Sequence, residues 1–259
     1  MAKKSNPASS AVMHPLDPTI MTEIGGLKTP PPAADDFDPG ADRTAHFRIW
    51  TCYGHRSGSN RDMGSLRIDR KAEPDGQRLT VRQTVLNSQG KRHTIGATVR
   101  CKTDALASPG EWTLTSTFSG AHMDGLPAFD TKETGRINGG TWETSTDGAR
   151  YHQEVAPPVT GDWCLFEAVQ RLPFREAAPL RFHVLEGLSV LKKDHRLWYG
   201  GKRGVTWGSE KRPLHRFCQV GRGVYPYEYW LDDRHRLLLV TTGPRACILD
   251  PQAAQGADA

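Results

Sequence analysis

Five consecutive residues near the C-terminus, Asp232 to Arg236, have the side chains that hydrolytic sites use. The stretch reads DDRHR within EYWLDDRHRLLLV and holds two carboxylates, two arginines and a histidine. A histidine beside a carboxylate can act as a general base, but no nucleophile with a defined orientation accompanies it. Aspartate hydrogen-bonds its own backbone in turns, and charged residues suit a solvated loop tip. The sequence therefore favours a hairpin turn, with an enzyme centred on His235 as the alternative.

Cys164 is a second residue that could carry chemistry, because it falls at the start of the one predicted helix. Backbone N–H groups at a helix start favour a thiolate. The alternative is a small buried residue between Trp163 and Leu165, since free cysteine is among the most buried residue types. The odd number of widely spaced cysteines, with no Cys-x-x-Cys pair, indicates reduced thiols rather than a disulfide framework or a zinc ribbon. The five are Cys52, Cys101, Cys164, Cys218 and Cys247.

The ten histidines do not form a recognisable metal motif. No His-x-His or His-x-x-x-His occurs, and the predicted helix carries no histidine, so the usual arrangements of ligands on one face are missing. Four histidines of the last third fall on or next to different predicted strands and could meet in space: His183, His195, His215 and His235. We predict scattered surface histidines, no metal site and no cofactor.

The segment from Lys192 to Arg216, which we call the basic hairpin, is strongly basic. It contains eight Lys or Arg and two acids, a net charge of +6, whereas the whole chain carries +5. Cations interleaved with aromatic rings suit an anionic polymer or an anionic membrane surface, although a solvated hairpin has the same composition. The candidate ligand-binding residues are Trp198, Tyr199, Lys202, Arg203, Trp207, Lys211 and Arg212.

The elements that must position these residues are mostly strands. RLTVRQTV, TIGATVRC and EWTLTSTF alternate apolar and polar residues, which predicts half-buried antiparallel strands separated by turn signals such as PDG and SPG. Leu165, Val169 and Leu172 recur at helical spacing, with Asp162 or Thr160 as a cap and Pro173 after them. We therefore predict an all-β, mainly antiparallel fold: a strongly curved meander sheet or half-barrel of about a dozen strands wrapped on one short helix near 162–172.

Composition sets the expected domain boundaries. Residues 1–44 are rich in Pro, Ala, Asp and Gly and are expected to form a disordered tail, followed by one domain over 45–251 and a short tail over 252–259. No apolar run approaches the roughly 20 residues needed to span a membrane. The first residues also lack the apolar stretch of a secretory signal, which favours a cytoplasmic protein.

The second half, about Val155 to Asp250, resembles an uncharacterised family of bacterial envelope proteins of unknown function. The resemblance rests on the order and spacing of LFEAVQRLP, LRFHVLEG and YEYWLDDRHRLLLVTTGPRACIL. That family is similar in architecture to the lipoprotein-carrier half-barrel, in which a curved antiparallel sheet wraps around a helix. The resemblance implies export to the cell envelope and supplies no catalytic residues.

Three functions follow as hypotheses. The first is a non-enzymatic half-barrel that binds an apolar or amphipathic ligand on its concave face, as the resemblance implies. The second is a binding module for an anionic polymer or membrane surface that uses the basic hairpin. The third is a hydrolase-type enzyme centred on Cys164 or His235, for which no motif converges.

Overall fold

The computed structural model describes residues 30–51, 61–86, 91–119, 129–207, 210–243 and 245–250. These residues form fifteen strands, one α-helix and one 3-10 turn. The strands of the first half are β1 (Arg43–Thr51), β2 (Arg61–Glu73), β3 (Gly76–Leu86), β4 (Arg92–Cys101), β5 (Pro109–Ser119), β6 (Phe129–Asn138), β7 (Thr141–Thr146) and β8 (Ala149–Glu154). The second half has β9 (Val159–Gly161), α1 (Asp162–Ala168), the 3-10 turn (Val169–Arg171), β10 (Leu180–Glu186), β11 (Val190–Trp207), β12 (Glu210–Val220), β13 (Tyr227–Leu231), β14 (Leu237–Thr242) and β15 (Arg245–Leu249).

All fifteen strands belong to one sheet, in the order β8-β7-β6-β5-β4-β3-β2-β1-β15-β14-β13-β12-β11-β10-β9. Neighbouring strands are antiparallel except β9 and β10, which are parallel. The first and last strands therefore pair in the interior of the sheet, while β8 and β9 form its edges. The prediction of an all-β, mainly antiparallel and strongly curved sheet is confirmed.

The inward-facing residues of the meander are those that the alternation predicts. Leu79 and Val81 on β3, Val99 on β4 and Trp112 and Leu114 on β5 are all buried, whereas the intervening residues are partly or fully exposed. Burial of one residue in two is expected for a sheet that covers a core with one face. The buried face is the concave one, because it packs on the helix.

Helix α1 fills the concave side of the sheet. Trp163, Leu165 and Phe166 are buried, and the Phe166 ring makes edge-on contacts with Phe47 on β1 and Tyr229 on β13, at centroid distances of 5.4 and 6.3 Å. The helix is shorter than the predicted 162–172, because the last residues form the 3-10 turn and Leu172 is already extended. Pro173 explains this ending, since proline disfavours helical backbone at the residue before it.

Side-chain hydrogen bonds join the second half of the chain to a loop and a strand of the first half. Thr160 on β9 donates to the Leu106 carbonyl at 2.7 Å. Ser189, in the turn between β10 and β11, donates to the buried Glu133 carboxylate on β6 at 2.9 Å. The same carboxylate accepts from the Trp112 indole at 3.1 Å. An open sheet thereby becomes barrel-like through side chains rather than through a backbone ladder.

Residues 30–42 lie within the expected tail of 1–44, yet in the structure they contact the sheet. Pro30 and Pro31 are buried, and the Pro31 carbonyl accepts from the Arg212 guanidinium at 2.9 Å. The Arg70 guanidinium donates to the carbonyls of Gly40 and Ala41 at 2.6 and 2.8 Å. This segment thus runs from β12 to β2. Residues 1–29 and 251–259, which contain the rest of the expected tails, lie outside the described residues.

Candidate functional site

The cations of the basic hairpin do not form one surface. In the β11–β12 ladder Lys202 lies opposite His215 and Thr206 lies opposite Lys211, so Lys202 and Lys211 share one face. Arg203 and Arg212 fall on the other face, because successive strand residues point to opposite sides. These four candidate cations therefore lie on two faces of the β11–β12 ladder and do not form one continuous basic surface.

Much of the local charge is also neutralised by acids from neighbouring segments. Lys202 pairs with Asp233 at 2.5 Å, and Arg216 pairs with Glu228 at 2.9 Å. Lys192 pairs with Glu186 at 3.5 Å, while the pair between Arg212 and Glu210, at 2.8 Å, lies within the hairpin. The net charge of +6 counted along the sequence is therefore much reduced in three dimensions.

The aromatic residues of the hairpin are less exposed than a stacking surface requires. Trp207 is 1 % exposed. Trp198 and Tyr199 are half-buried. Trp207 follows Val205 at a spacing of two, and both side chains are buried on the same face of β11. The structure therefore places Trp207 in the core, where it is not available to stack on a ligand.

The DDRHR stretch is a turn, as the sequence favours. The Asp232 carboxylate accepts from the backbone N–H groups of Arg234 and Arg236 at 3.0 and 2.9 Å. The His235 N–H donates to the Asp232 carbonyl at 3.0 Å. His235 has a φ of +67°, a conformation suited to a tight turn rather than to a strand.

This turn contacts the hairpin through a cluster that the sequence does not reveal. His215 is hydrogen-bonded to Tyr199 at 2.7 Å and to Asp233 at 2.8 Å. The Phe174 ring stacks on His215 and on His235, with 3.7 Å between centroids in each case. Burial raises the pKa of Tyr199 and lowers the pKa of His235, which keeps the phenol protonated and the imidazole neutral at pH 7. The cluster thus resembles packing more than an activated nucleophile.

Cys164 lies in the core, with 0 % exposure. Its sulfur is 3.6 Å from that of Cys101, and in the described part of the chain it has no hydrogen bond to a histidine or a carboxylate. A nucleophile needs access to substrate and a nearby base. This site offers Cys164 neither.

The four histidines of the last third fall into two pairs. His215 and His235 flank Phe174, whereas His183 and His195 line a cleft between β10, β11 and the end of β12. Within the described ranges no group of three His, Cys, Asp or Glu side chains is placed to hold a metal ion.

The second histidine pair belongs to what we call the arginine cleft, a cavity of about 680 Å³. Its lining comprises Pro157, Pro158, Arg181, Phe182, His183, Asp194, His195, Arg196, Val220, Gly221 and Arg222. Arg181 and Arg196 lie directly opposite each other in the β10–β11 ladder, and both are exposed. No described acid pairs with either arginine. Asp194, the acidic residue of the cleft, pairs instead with Arg222 at 3.2 Å. Like charges directly opposite in a sheet repel, so an anion between them would relieve the repulsion.

His195 is the buried polar residue of this cleft, at 1 % exposure. The Gln219 amide donates to its Nδ1 atom at 2.8 Å, and Tyr229 donates to the Gln219 amide oxygen at 2.6 Å. Burial lowers the pKa of His195 to about 4, so the ring is neutral and its proton resides on Nε2. The Nε2 atom is buried and has no hydrogen-bond partner in the structure.

A second cavity, which we call the aromatic cleft, is lined by other residues of the same loop, 221–226. It has a volume of about 560 Å³ and is lined by Glu186, Gly223, Val224, Tyr225, Tyr227, Thr242 and Arg245. Tyr225 is 66 % exposed. A Cβ atom at Gly243 would lie 2.7 Å from the Tyr225 ring, so the absence of a side chain there lets the ring sit against the backbone. An exposed tyrosine held in this way offers an amphipathic surface.

A larger cleft of about 760 Å³ lies on strands β4 to β8. Its Arg136 pairs with Glu143 at 2.6 Å, and its Arg100 approaches Glu111 at 3.9 Å. The glutamates line the same cleft. Two of its three arginines therefore have a glutamate partner within the cleft, whereas neither Arg181 nor Arg196 has a described acidic partner.

Comparison with known proteins defines the fold but no activity. No protein-family model matches the chain, and no curated protein sequence matches it either. The structure is similar to the crystal structure of a β-barrel-like protein of a domain of unknown function, DUF1849, from Brucella abortus. The TM-score is 0.52 at 8 % sequence identity, covering 81 % of this chain and 95 % of that chain. The barrel-like architecture expected from the resemblance is thereby confirmed.

One further finding concerns the membrane. In the parts of the chain that the structure describes, no helix has the length and apolar character needed to cross a bilayer.

Proposed function

We propose that the protein is a non-enzymatic half-barrel that binds an amphipathic anion around the loop 221–226. The observation that carries the proposal is the pair Arg181 and Arg196, which are directly opposite, exposed and unpaired with any described acid. Guanidinium groups bind carboxylate and phosphate through paired, charge-assisted hydrogen bonds. The acidic group of the ligand lies between these two arginines, and its apolar part contacts Tyr225 and Tyr227 in the aromatic cleft.

The occupied concave face supports a site at the clefts rather than inside the barrel. Trp163, Leu165 and Phe166 of the helix are buried against the sheet and take the space that a ligand on the concave face would need. An interior ligand would have to displace these side chains, at a cost of about 1.5–3 kcal/mol for each large apolar group exposed. Binding between the clefts requires no such displacement.

This proposal keeps the amphipathic ligand that the resemblance to lipoprotein-carrier half-barrels implies. It also places the protein in the cell envelope, where amphipathic anions are abundant as lipids and their fragments. Enzymatic activity is not part of the proposal, because neither Cys164 nor His235 combines access with an oriented base.

Two probes that differ in charge test the proposal. Binding of dodecanoate and of dodecanol is measured by isothermal titration calorimetry at concentrations below micelle formation. We expect dodecanoate to bind more tightly, and the double variant Arg181→Gln/Arg196→Gln to lose that preference. Each hydrogen bond to a charged group contributes about 1.5–3 kcal/mol, so the loss for dodecanoate is at least roughly tenfold.

The matched control, Arg203→Gln/Lys211→Gln, removes two other positive charges of the segment Lys192–Arg216 that do not line the arginine cleft. These residues are exposed, and Arg203 lies on the same strand as Arg196. We expect unchanged dodecanoate binding. A loss in the control equal to that in the cleft variant would assign binding to general positive charge and overturn the proposed site.

The aromatic cleft has its own variant, Tyr225→Ser. Loss of this ring should weaken both probes to a similar extent, because it removes apolar contact and no charge. Failure of the unmodified protein to bind either probe would refute the amphipathic ligand.

A further inference from the structure

Two cysteines on different elements lie side by side in the core. Cys101 is the last residue of β4 and Cys164 is the third residue of α1, 63 positions later in the chain. Their sulfur atoms are 3.6 Å apart, and the residues are 4 % and 0 % exposed. The described cysteines are free thiols in this structure. A separation of this size needs a shift of only about 1.5 Å to reach disulfide bonding distance.

We propose that Cys101 and Cys164 are a disulfide-forming pair that covalently joins the helix to the sheet when a disulfide donor is present during folding. The thiolate of one cysteine attacks a sulfur of the donor, forming a mixed disulfide and releasing one donor thiolate. The thiolate of the other cysteine then attacks the protein sulfur of the mixed disulfide and releases the second. Both protein thiols are oxidised by two electrons in total, the donor is reduced to two thiols, and the two protein protons end on them.

The position of the pair gives the bond a structural effect. It would close a loop between the last residue of β4 and a helix that belongs to the second half of the chain. Cross-links that close long loops restrict the unfolded chain most strongly in the chain-entropy description. The bond would therefore stabilise the packing of α1 on the concave face.

The surroundings determine when the bond can form. The hydrogen bond between Cys101 and Cys164, together with burial, raises the pKa of Cys101. The folded protein therefore has very little thiolate at Cys101. Thiolate is the reactive form in disulfide exchange, and both sulfurs are inaccessible to a donor in the folded state. Formation is therefore fast while the chain folds and slow once it has folded.

The test refolds the reduced, denatured full chain in a buffer of oxidised and reduced glutathione. Alkylation, proteolysis without reductant and mass spectrometry should then identify a peptide pair linked between positions 101 and 164. The linked protein should melt several degrees higher than the same sample after reduction. Folded reduced protein given the same buffer should form this link at least tenfold more slowly.

Two variants keep the test specific. Cys164→Ser should abolish both the linked peptide pair and the difference in melting temperature between oxidised and reduced samples. Cys218→Ser removes a cysteine that lies on β12 and should leave both unchanged. Correctly refolded protein without a link between 101 and 164, or a link that lowers the melting temperature, would overturn the inference.

Discussion

Arg43 and Glu167 form an ion pair within the barrel although 124 residues separate them in the sequence. Glu167 lies on α1 and is 2 % exposed, while Arg43 begins β1. The Arg70 guanidinium on β2 lies 3.7 Å from the same carboxylate oxygen and also binds Gln77 at 2.8 Å. One carboxylate thus connects the helix to two strands and, through Arg70, to the N-terminal segment.

Replacing the Glu167 carboxylate should lower the free energy of unfolding by several kcal/mol. Glu167→Gln leaves Arg43 and Arg70 largely buried without a negative partner, and breaking a buried ion pair in this way costs about 3–5 kcal/mol. Urea unfolding followed by circular dichroism measures the loss. The control Glu111→Gln removes a carboxylate that is 68 % exposed and 3.9 Å from Arg100, and should cost less than about 1 kcal/mol. Equal losses would show that Glu167 is not specifically coupled to the arginines.

Asp162 should make stability fall as the pH rises from 4 to 6. Burial raises its pKa to about 6 from 3.8, despite hydrogen bonds from the N–H groups of Gly187 and Trp163. The folded state therefore binds this proton more tightly than the unfolded chain, and deprotonation costs up to roughly 3 kcal/mol. The difference in unfolding free energy between the unmodified protein and Asp162→Asn should decline across this window and be constant above it. A constant difference from pH 4 to 7 would contradict this prediction.

His195 should make stability increase as the pH rises over nearly the same range. Its folded pKa of about 4 lies below the usual 6.5, so acidification protonates the unfolded chain first and favours unfolding. As the pH rises from 4 to 6.5, the free energy of unfolding of the unmodified protein should increase by up to roughly 3 kcal/mol relative to that of His195→Gln. This is the free energy that corresponds to the lowering of the His195 pKa on folding. Urea titrations at half-unit pH steps measure it. A difference that is independent of pH would place His195 in a polar, solvated environment.

The N-terminal segment, residues 30–42, should stabilise the folded protein. A chain that begins at residue 43 loses the bonds that Arg70 makes to Gly40 and Ala41 and the bond from Arg212 to Pro31. These bonds to charged donors are each expected to contribute about 1.5–3 kcal/mol. Its melting temperature should therefore be several degrees below that of a chain that begins at residue 30. Identical melting curves would show that the segment adds no stability.

The sequence predicts strands well where one face is buried and the other is solvated. Leu79, Val81 and Val99 illustrate this, because alternation and burial have the same cause. Sequence patterns are less informative where both faces are covered. In β14 five of the six residues are buried, so an alternating pattern has no physical basis there.

The candidate site could not be predicted in the same way, because it depends on register and on partners distant in sequence. Arg181 and Arg196 meet only because β10 and β11 pair in one register, which shifts beyond Phe182. The charge count around Lys202 likewise omits Asp233, which reaches it from another hairpin. Local composition reports which charges are present, whereas the fold decides which of them remain unpaired.

The pairing of β1 with β15 determines how late the sheet can be completed. Phe47 lies opposite Leu249, and Arg48 binds Asp250 across 202 residues of chain at 2.9 Å. Contacts of such high contact order slow folding, because a long loop must close before they form. During synthesis β1 therefore keeps an unpaired edge until β15 has been made, and such an edge can pair with another chain or bind a chaperone.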